Sequence, residues 1–310
     1  MANKMQIEFR KKVADEFVKM LENLDEDDGS LWESPWFKTP RPMNGITKVA
    51  YTGVNAVWLR ICAVKRNTSD PRWYTFKQIA DPKGYTHKGK KWHLKAGSTG
   101  ENIEYWCRYD FTDKRVLRTD EEERQAIDAG HNVGPLARFY RVFNGQDIEG
   151  LEPWEPKEKA NITITPDEAI YKIAAGMGVM FVEDQTDRAF YVPAEDTVHL
   201  PKRERFKSSE GFNATALHEL AHSTGHEKRL NRPIKNTFGN KEYAFEELVA
   251  ELASVFASEF LETPLTTKEF DNSKQYVASW ISGIKEKPDA LAQALKAADK
   301  AADYMAKAMS

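Results

Sequence analysis

A chain of 310 residues, 41% apolar and 30% charged, has the composition of an ordinary soluble protein and is long enough for two domains, each able to bury a core. Its longest near-apolar run, Ala174 to Val182, is broken by two glycines and is far too short to span a membrane. The net charge of −3 conceals a basic segment: residues 31–100 hold 13 Lys and Arg against 3 acidic residues, Glu33, Asp70 and Asp81. That split points to a polyanionic partner for one part of the chain only.

The leading MANKMQIEFRKK has no apolar stretch of the kind a secretion signal needs. Cys62 and Cys107 do not form a C-x-x-C pair, so both are expected as buried free thiols in a reducing cytoplasm. In chain order, residues 5–24 place Phe9, Val13, Phe17 and Leu21 at helical spacing, and DEDDG (25–29) ends that helix. WESPWFKTPRPMNG carries Pro35, Pro40 and Pro42, which exclude a helix interior. From there to about residue 111 the chain reads as short β-like pieces and turns, with YTGVNAVWLRICAV compatible with a helix. TDEEERQAIDAG (119–130) reads as an exposed helix and RFYRVFN (138–144) as a strand. LEPWEPKEKAN (151–161) is rich in proline and charge and marks a linker between a domain at 1–150 and another at 162–310.

In the second part, Thr165, Pro166 and Glu168 form a capping box opening a helix that runs to about Ala175. RAFYVPAEDTVHLP reads as strand, turn and strand, and SSEGFNATALHELAHSTG as a helix. After a loop punctuated by Gly and Pro comes a helix from about Tyr243 to Leu261, then helices around 273–284 and 288–308.

HELAHSTGH (218–226) holds three of the seven histidines. On a helix His218 and His222 project from one face a turn apart, so both imidazoles can reach one ion, and Zn2+ is the expected one. Glu219 lies about 100° around, placed to move protons rather than to ligate. A zinc site of this kind activates water for peptide hydrolysis. The following helix offers Glu246, Glu247 and Glu251. Glu247 is assigned as third ligand, with Glu251 orienting a histidine; the reverse assignment of those two is the alternative, and Glu246 is expected to face solvent. His226 is expected to support the site rather than ligate, because Gly225 ends the helix before it. His87, His93, His131 and His199 read as ordinary surface or strand-end residues.

HELAHSTGHEKRLNR and FGNKEYAFEELVAELASVFASEFL together resemble the zincin domain of ArdC-type antirestriction proteins. WESPW, YTGVNAVWL, DPRWYTFKQI and VFNGQ are similar to that family's N-terminal single-stranded-DNA-binding domain, so the likeness runs over roughly residues 9–305. The resemblance implies a SprT-like, gluzincin-type site and single-stranded DNA binding that protects incoming DNA. It also implies an α+β fold: a β-rich N-terminal domain, then a mainly helical zincin-like domain.

Independently of the family, the basic segment interleaves its charge with Trp32, Trp36, Trp58, Trp73 and Trp92, with Trp106 just beyond. Stacking rings beside Lys and Arg suit single strands, because every base offers a face and every phosphate a charge. The candidate contacts are Arg41, Lys48, Arg72, Trp73, Lys77, Lys88, Lys90, Lys91 and Trp92. Two functions from different classes follow. One is a zinc peptidase, acting on some protein or peptide and guided by a DNA-binding module. The other is a strand-coating protein whose metal domain is structural.

Overall fold

The computed structural model describes residues 4–23, 39–81, 91–156, 165–234, 241–261 and 276–309. Helix α1 (Lys4–Glu22) buries Phe9, Val13, Phe17 and Leu21, the stripe its periodicity marks out. The possible helix after Tyr51 is α2 (Gly53–Lys65), buried on all sides from Ala56 to Ala63, which is why its sequence lacks an amphipathic period.

The first sheet has strand order β1-β2-β6-β4-β5, with β1 at Met43–Asn44, β2 at Arg72–Thr75, β4 at Glu101–Asp110, β5 at Arg115–Leu117 and β6 at Val133–Asn144. Its backbone is the antiparallel β4–β6 ladder, in unbroken register from Glu101↔Val142 to Asp110↔Val133. A capping box at Thr75 opens the one-turn helix α3 (Phe76–Ile79). A small pair, β3 (His93–Leu94) with β7 (Ile148–Glu149), flanks the sheet. The acidic stretch TDEEERQAIDAG forms helix α4 (Asp120–Asp128), capped by Thr119, with four carboxylates in its first turn, where the helix dipole favours them.

The second part opens with α5 (Pro166–Met177), whose Thr165–Glu168 capping box is formed in both directions and which ends on Gly178 at φ +67°. Strand β8 (Met180–Gln185), which has no apolar alternation in its sequence, pairs in parallel with β10 (Thr197–Pro201), and β9 (Phe190–Val192) pairs antiparallel with β10. Helices α6 (Ser209–Ser223), α7 (Lys241–Phe260), α8 (Val277–Glu286) and α9 (Pro288–Met309) complete it. The molecule is thus mixed α+β, strand-rich first and mostly helical after.

One apolar core runs through both parts, joining Val13, Phe17 and Leu59 to Ile170, Leu217, Leu252 and Leu295. Helix α9 packs on α1, α2, α5 and α7 and is the shared wall. Ion pairs cross between the parts as well: Arg41 to Asp299 at 2.9 Å, Arg10 to Asp289, and the buried Arg60 to Glu259. Cys62 and Cys107 are buried free thiols, and burial pushes the Cys62 thiol upward. No helix of the described residues is long and apolar enough to cross a membrane.

Candidate metal centre

Helix α6 is capped by Ser208, whose hydroxyl accepts from the Gly211 N–H at 2.9 Å. It then runs through the interior, with Phe212, Leu217, Leu220 and Ala221 fully buried. One helical turn separates His218 from His222, so their rings meet edge-on with centroids 4.7 Å apart and Nε2 atoms 3.1 Å apart. Helix α7 packs across this pair and delivers Glu247. Its Oε2 lies 3.4 Å from Nε2 of His218 and its Oε1 3.6 Å from Nε2 of His222. One ligand atom from each of the three falls within 4.8 Å of the others.

Behind each imidazole stands another carboxylate. Nδ1 of His218 is 3.4 Å from Oε2 of Glu251, and Nδ1 of His222 is 3.4 Å from Oε1 of Glu246. Glu251 therefore sits on the far side of its ring from Glu247. Glu246 is a correction: it does not face solvent but is 5% exposed. The reason is the loop after α6, which folds back over α7 and sends Arg232 to Glu246 at 2.6 and 3.1 Å. The same guanidinium closes the C-terminus of α6 by donating to the Ala221 carbonyl at 2.9 Å and the Thr224 hydroxyl at 2.7 Å. Gly225 makes this possible, because a Cβ there would stand 2.8 Å from Ile234 and 3.1 Å from Arg232.

Glu219 is 6% exposed and close enough for its charge to act on His222. The ring of His226 is turned to the β9–β10 turn, 4.0 Å from Asp196, and accepts the Lys228 N–H at 3.2 Å. It stands apart from the three-residue group. Tyr243, which sequence reasoning passed over, hydrogen-bonds Glu247 from one turn earlier on α7. A cavity of about 530 Å³ between Pro193–Asp196 and the loop after α6 shares Arg232 with the site.

Burial opposes charge throughout the cluster, and the pairing overcomes it. Desolvation acts against the His222 imidazolium, but the charges of Glu247 and Glu219 and the hydrogen bonds it donates to Glu246 and Glu247 hold its pKa well above the ordinary histidine value. Burial would raise the Glu247 carboxyl, yet the charge of His222 and hydrogen bonds with both histidines hold it far below the usual carboxylate range. Four carboxylates around two imidazoles and one guanidinium make a buried excess of negative charge. A divalent cation at the two Nε2 atoms and Glu247 is what that donor set fits.

Two families match the chain. Residues 8–143 match the N-terminal domain of anti-restriction factor ArdC, and residues 158–298 match the zincin-like metallopeptidases. The chain is an ArdC N-terminal domain followed by a zincin-like metallopeptidase domain. Two crystal structures of the antirestriction ArdC protein from plasmid R388, one Mn(II)-bound and one metal-free, share the fold with TM-scores of 0.71 and 0.72. They are 25% and 26% identical to this chain, covering 97% of it and 98% and 97% of themselves. Two Escherichia coli proteins called DNA primase TraC are 32% and 34% identical over 96% of the chain. The chain spans only 27% and 20% of their lengths. Uncharacterized protein y4eC of Sinorhizobium fredii (strain NBRC 101917 / NGR234) is 25% identical over 95% of this chain and 90% of its own length.

Within the ArdC N-terminal domain, the residues expected to touch nucleic acid scatter. Trp73 is fully buried and cannot stack on a base. Arg72 is locked on Asp70 by contacts at 2.9 and 2.7 Å and on the Glu152 carbonyl at 2.9 Å. Arg41 is committed to Asp299. Burial in the core corrects the expectation for Trp73, and Arg41 and Arg72 are held in pairs within the fold. Trp92 is half-buried against Tyr74, with ring centroids 5.6 Å apart. Lys48, whose ammonium donates to the Gly45 carbonyl at 2.7 Å, is exposed, as are Lys77 and Lys91; Lys88 and Lys90 lie outside the described residues. A second acidic group, Asp110, Asp113 and His131, sits at the β4–β5 turn. There Asp110 accepts from the Thr112 and Asp113 N–H groups and contacts His131 at 2.8 Å, which ties the turn to the segment that follows α4.

Proposed function

We propose that this chain is an antirestriction protein that binds single-stranded DNA through residues 1–150 and carries a zinc-dependent peptidase site in residues 162–310, with 151–161 as linker. The observation that supports the enzyme half is the convergence of His218, His222 and Glu247, each imidazole backed by a further carboxylate. The two family matches support the pairing of domains.

His218, His222 and Glu247 would hold the ion, with Zn2+ favoured by two imidazoles and one carboxylate, and Mn(II) the ion named for the R388 relative. When bound, a divalent ion supplies Lewis acidity to water and to a scissile carbonyl. Glu219 takes the proton of the attacking water and returns it to the leaving amine. Glu251 and Glu246 orient the two imidazoles through their Nδ1 atoms, and His226 steadies the loop beside them. The low exposure of Glu219 and His218 keeps bulk water from competing for these protons.

A second reading is favoured by the primase relatives, of which this chain matches only a fraction. In it the chain handles single strands and the metal site is structural. Glu219→Gln separates the two. On the enzyme reading the variant keeps about one zinc per chain and its affinity for single strands, and loses both peptide hydrolysis and protection from restriction. Protection that survives the substitution would establish the coating role instead.

A further inference from the structure

Opposed residues in an antiparallel ladder share a face, and the register of β4 on β6 therefore sets Tyr105, Tyr109, Arg138 and Tyr140 on one side. Tyr105 is 50% exposed and Tyr140 43%, and their rings meet edge to face with centroids 5.6 Å apart. Further along, Tyr109 packs edge-on against Phe111 at 5.1 Å, and Phe111 is itself 41% exposed. The Arg138 guanidinium lies 5.4 Å from the centroid of the Tyr109 ring and, among the described residues, is in no ion pair. Cys107 sits buried between the two β4 tyrosines.

Most carboxylates of this ladder lie on the other face, together with Arg108 and Arg141. Glu104 and Asp110 belong to the opposite side, where Arg10 holds the first and His131 the second. Glu101 shares the tyrosine face but lies at its far end, where Arg66 contacts it at 3.2 Å. The acidic helix α4 meets the ladder through Arg108, again on the opposite side. Ile103 and Val142 on this face are buried in the core, and the exposed remainder carries aromatic rings and a cation, with its carboxylates turned away or neutralised. Cross-strand tyrosines also stabilise a hairpin, but that role does not ask for exposed rings.

We infer that this face of the β4–β6 ladder, with Tyr105, Tyr140 and Arg138 at its centre, is where single-stranded DNA docks. The inference rests on the strand-binding reading above and moves the contact away from the basic segment 31–100. Rings standing out from the strands of a sheet stack on successive bases without regard to sequence, and an arginine among them meets the phosphates. The tyrosine hydroxyls keep such rings soluble when no strand is present.

The test is fluorescence anisotropy of a labelled thymidine oligonucleotide with the full chain at several salt concentrations. The double variant Tyr105→Ala/Tyr140→Ala should bind at least tenfold more weakly, while Tyr105→Phe/Tyr140→Phe stays within about twofold of the parent. Arg138→Gln should lower the salt slope by about one. Trp106→Ala, on the opposite face, should leave affinity unchanged. Ultraviolet cross-linking of the unaltered chain to the oligonucleotide gives a readout free of folding effects, with adducts expected on the peptides containing Tyr105 or Tyr140. A parent that binds while the alanine pair binds equally well, or adducts that fall elsewhere, would overturn the docking face and leave the strand-binding reading intact. A parent that binds no single strand at low salt removes that reading, and the face with it.

Discussion

Nδ1 of His222 lies 3.4 Å from Glu246, and the same carboxylate receives Arg232 at 2.6 and 3.1 Å. A chain of three side chains from α6, α7 and the loop between them thus fixes the ring that points its other nitrogen at Glu247. Glu246, Glu247 and Glu251 stand at different places around the two imidazoles, and on the proposed reading substitutions separate them. Glu247→Gln should abolish stoichiometric metal binding, whereas Glu246→Gln and Glu251→Gln should weaken it about 10- to 100-fold. Competition with a chromophoric chelator measures all three. Equal losses at Glu247 and Glu251 would mean that the third ligand is wrongly assigned.

Metal uptake should depend on pH in one direction. In the metal-free chain His222 keeps its proton well above the ordinary histidine range, because nearby carboxylates outweigh the cost of burial. An ion must displace that proton, so affinity rises with pH through and above neutrality. The sign for stability is opposite: a raised folded pKa stabilises the metal-free chain fully below about 6.5, and the gain fades as pH climbs through the folded value. Calorimetry in buffers of differing ionisation enthalpy should show proton release on binding. Uptake that is indifferent to pH would contradict this.

Asp299 offers a second pH effect, remote from the metal. Burial pushes its carboxyl up to about 6, against the pull of Arg41 and the Gly53 N–H. Because the folded pKa exceeds the unfolded one, the contribution is present below about 4 and disappears as pH rises to about 6. The loss amounts to at most about 3 kcal/mol. Urea midpoints of the parent should fall across that window, and Asp299→Asn should flatten the curve.

Arg60 is 1% exposed, and its Nε and one Nη have no partner among the described residues, which leaves Glu259 to balance its charge. Glu259→Ala should cost about 3–5 kcal/mol by stranding a buried guanidinium. Arg60→Met combined with Glu259→Ala should recover most of that loss, because a methionine of similar reach fills the space beside Phe256 without a charge. Denaturant titration of the single and double variants decides it.

Arg72 separates stability from DNA affinity. Its guanidinium is spent on Asp70 and the Glu152 carbonyl. Arg72→Ala should therefore destabilise by about 1.5–3 kcal/mol while changing single-strand affinity less than twofold. A large loss of affinity with unchanged unfolding would return Arg72 to the interface.

How much of this was legible in advance depends on distance along the chain. The spacing of His218 and His222, the place of Glu219 beside them and the Thr165–Glu168 capping box are local properties. Helix geometry converts three- and four-residue separations directly into contacts. The choice between Glu247 and Glu251 was not decided by spacing, since both lie on one face of α7. The rotation of α7 against α6 brings Glu247 near the Nε2 atoms of both histidines and Glu251 near Nδ1 of His218. Glu246 looked like a solvent position because it lies 100° off that face, and only the returning loop with Arg232 buries it. Strand β8 is not legible in the sequence because it pairs in parallel with β10, and MFVEDQ shows no apolar alternation.

The basic segment shows the same divide most sharply. Sequence alone established an excess of positive charge, a crowd of aromatic residues and the two-histidine helix. It had no means of telling which arginines were already spoken for. Arg41 and Arg60 are matched by carboxylates 258 and 199 residues away, and Trp73 disappears into the core. Tyr105 and Tyr140, 35 positions apart, become neighbours only through the β4–β6 register. Charge and ring counts are sums over a chain; whether a given group faces water, another side chain or a ligand is fixed by long-range packing, which no local pattern encodes.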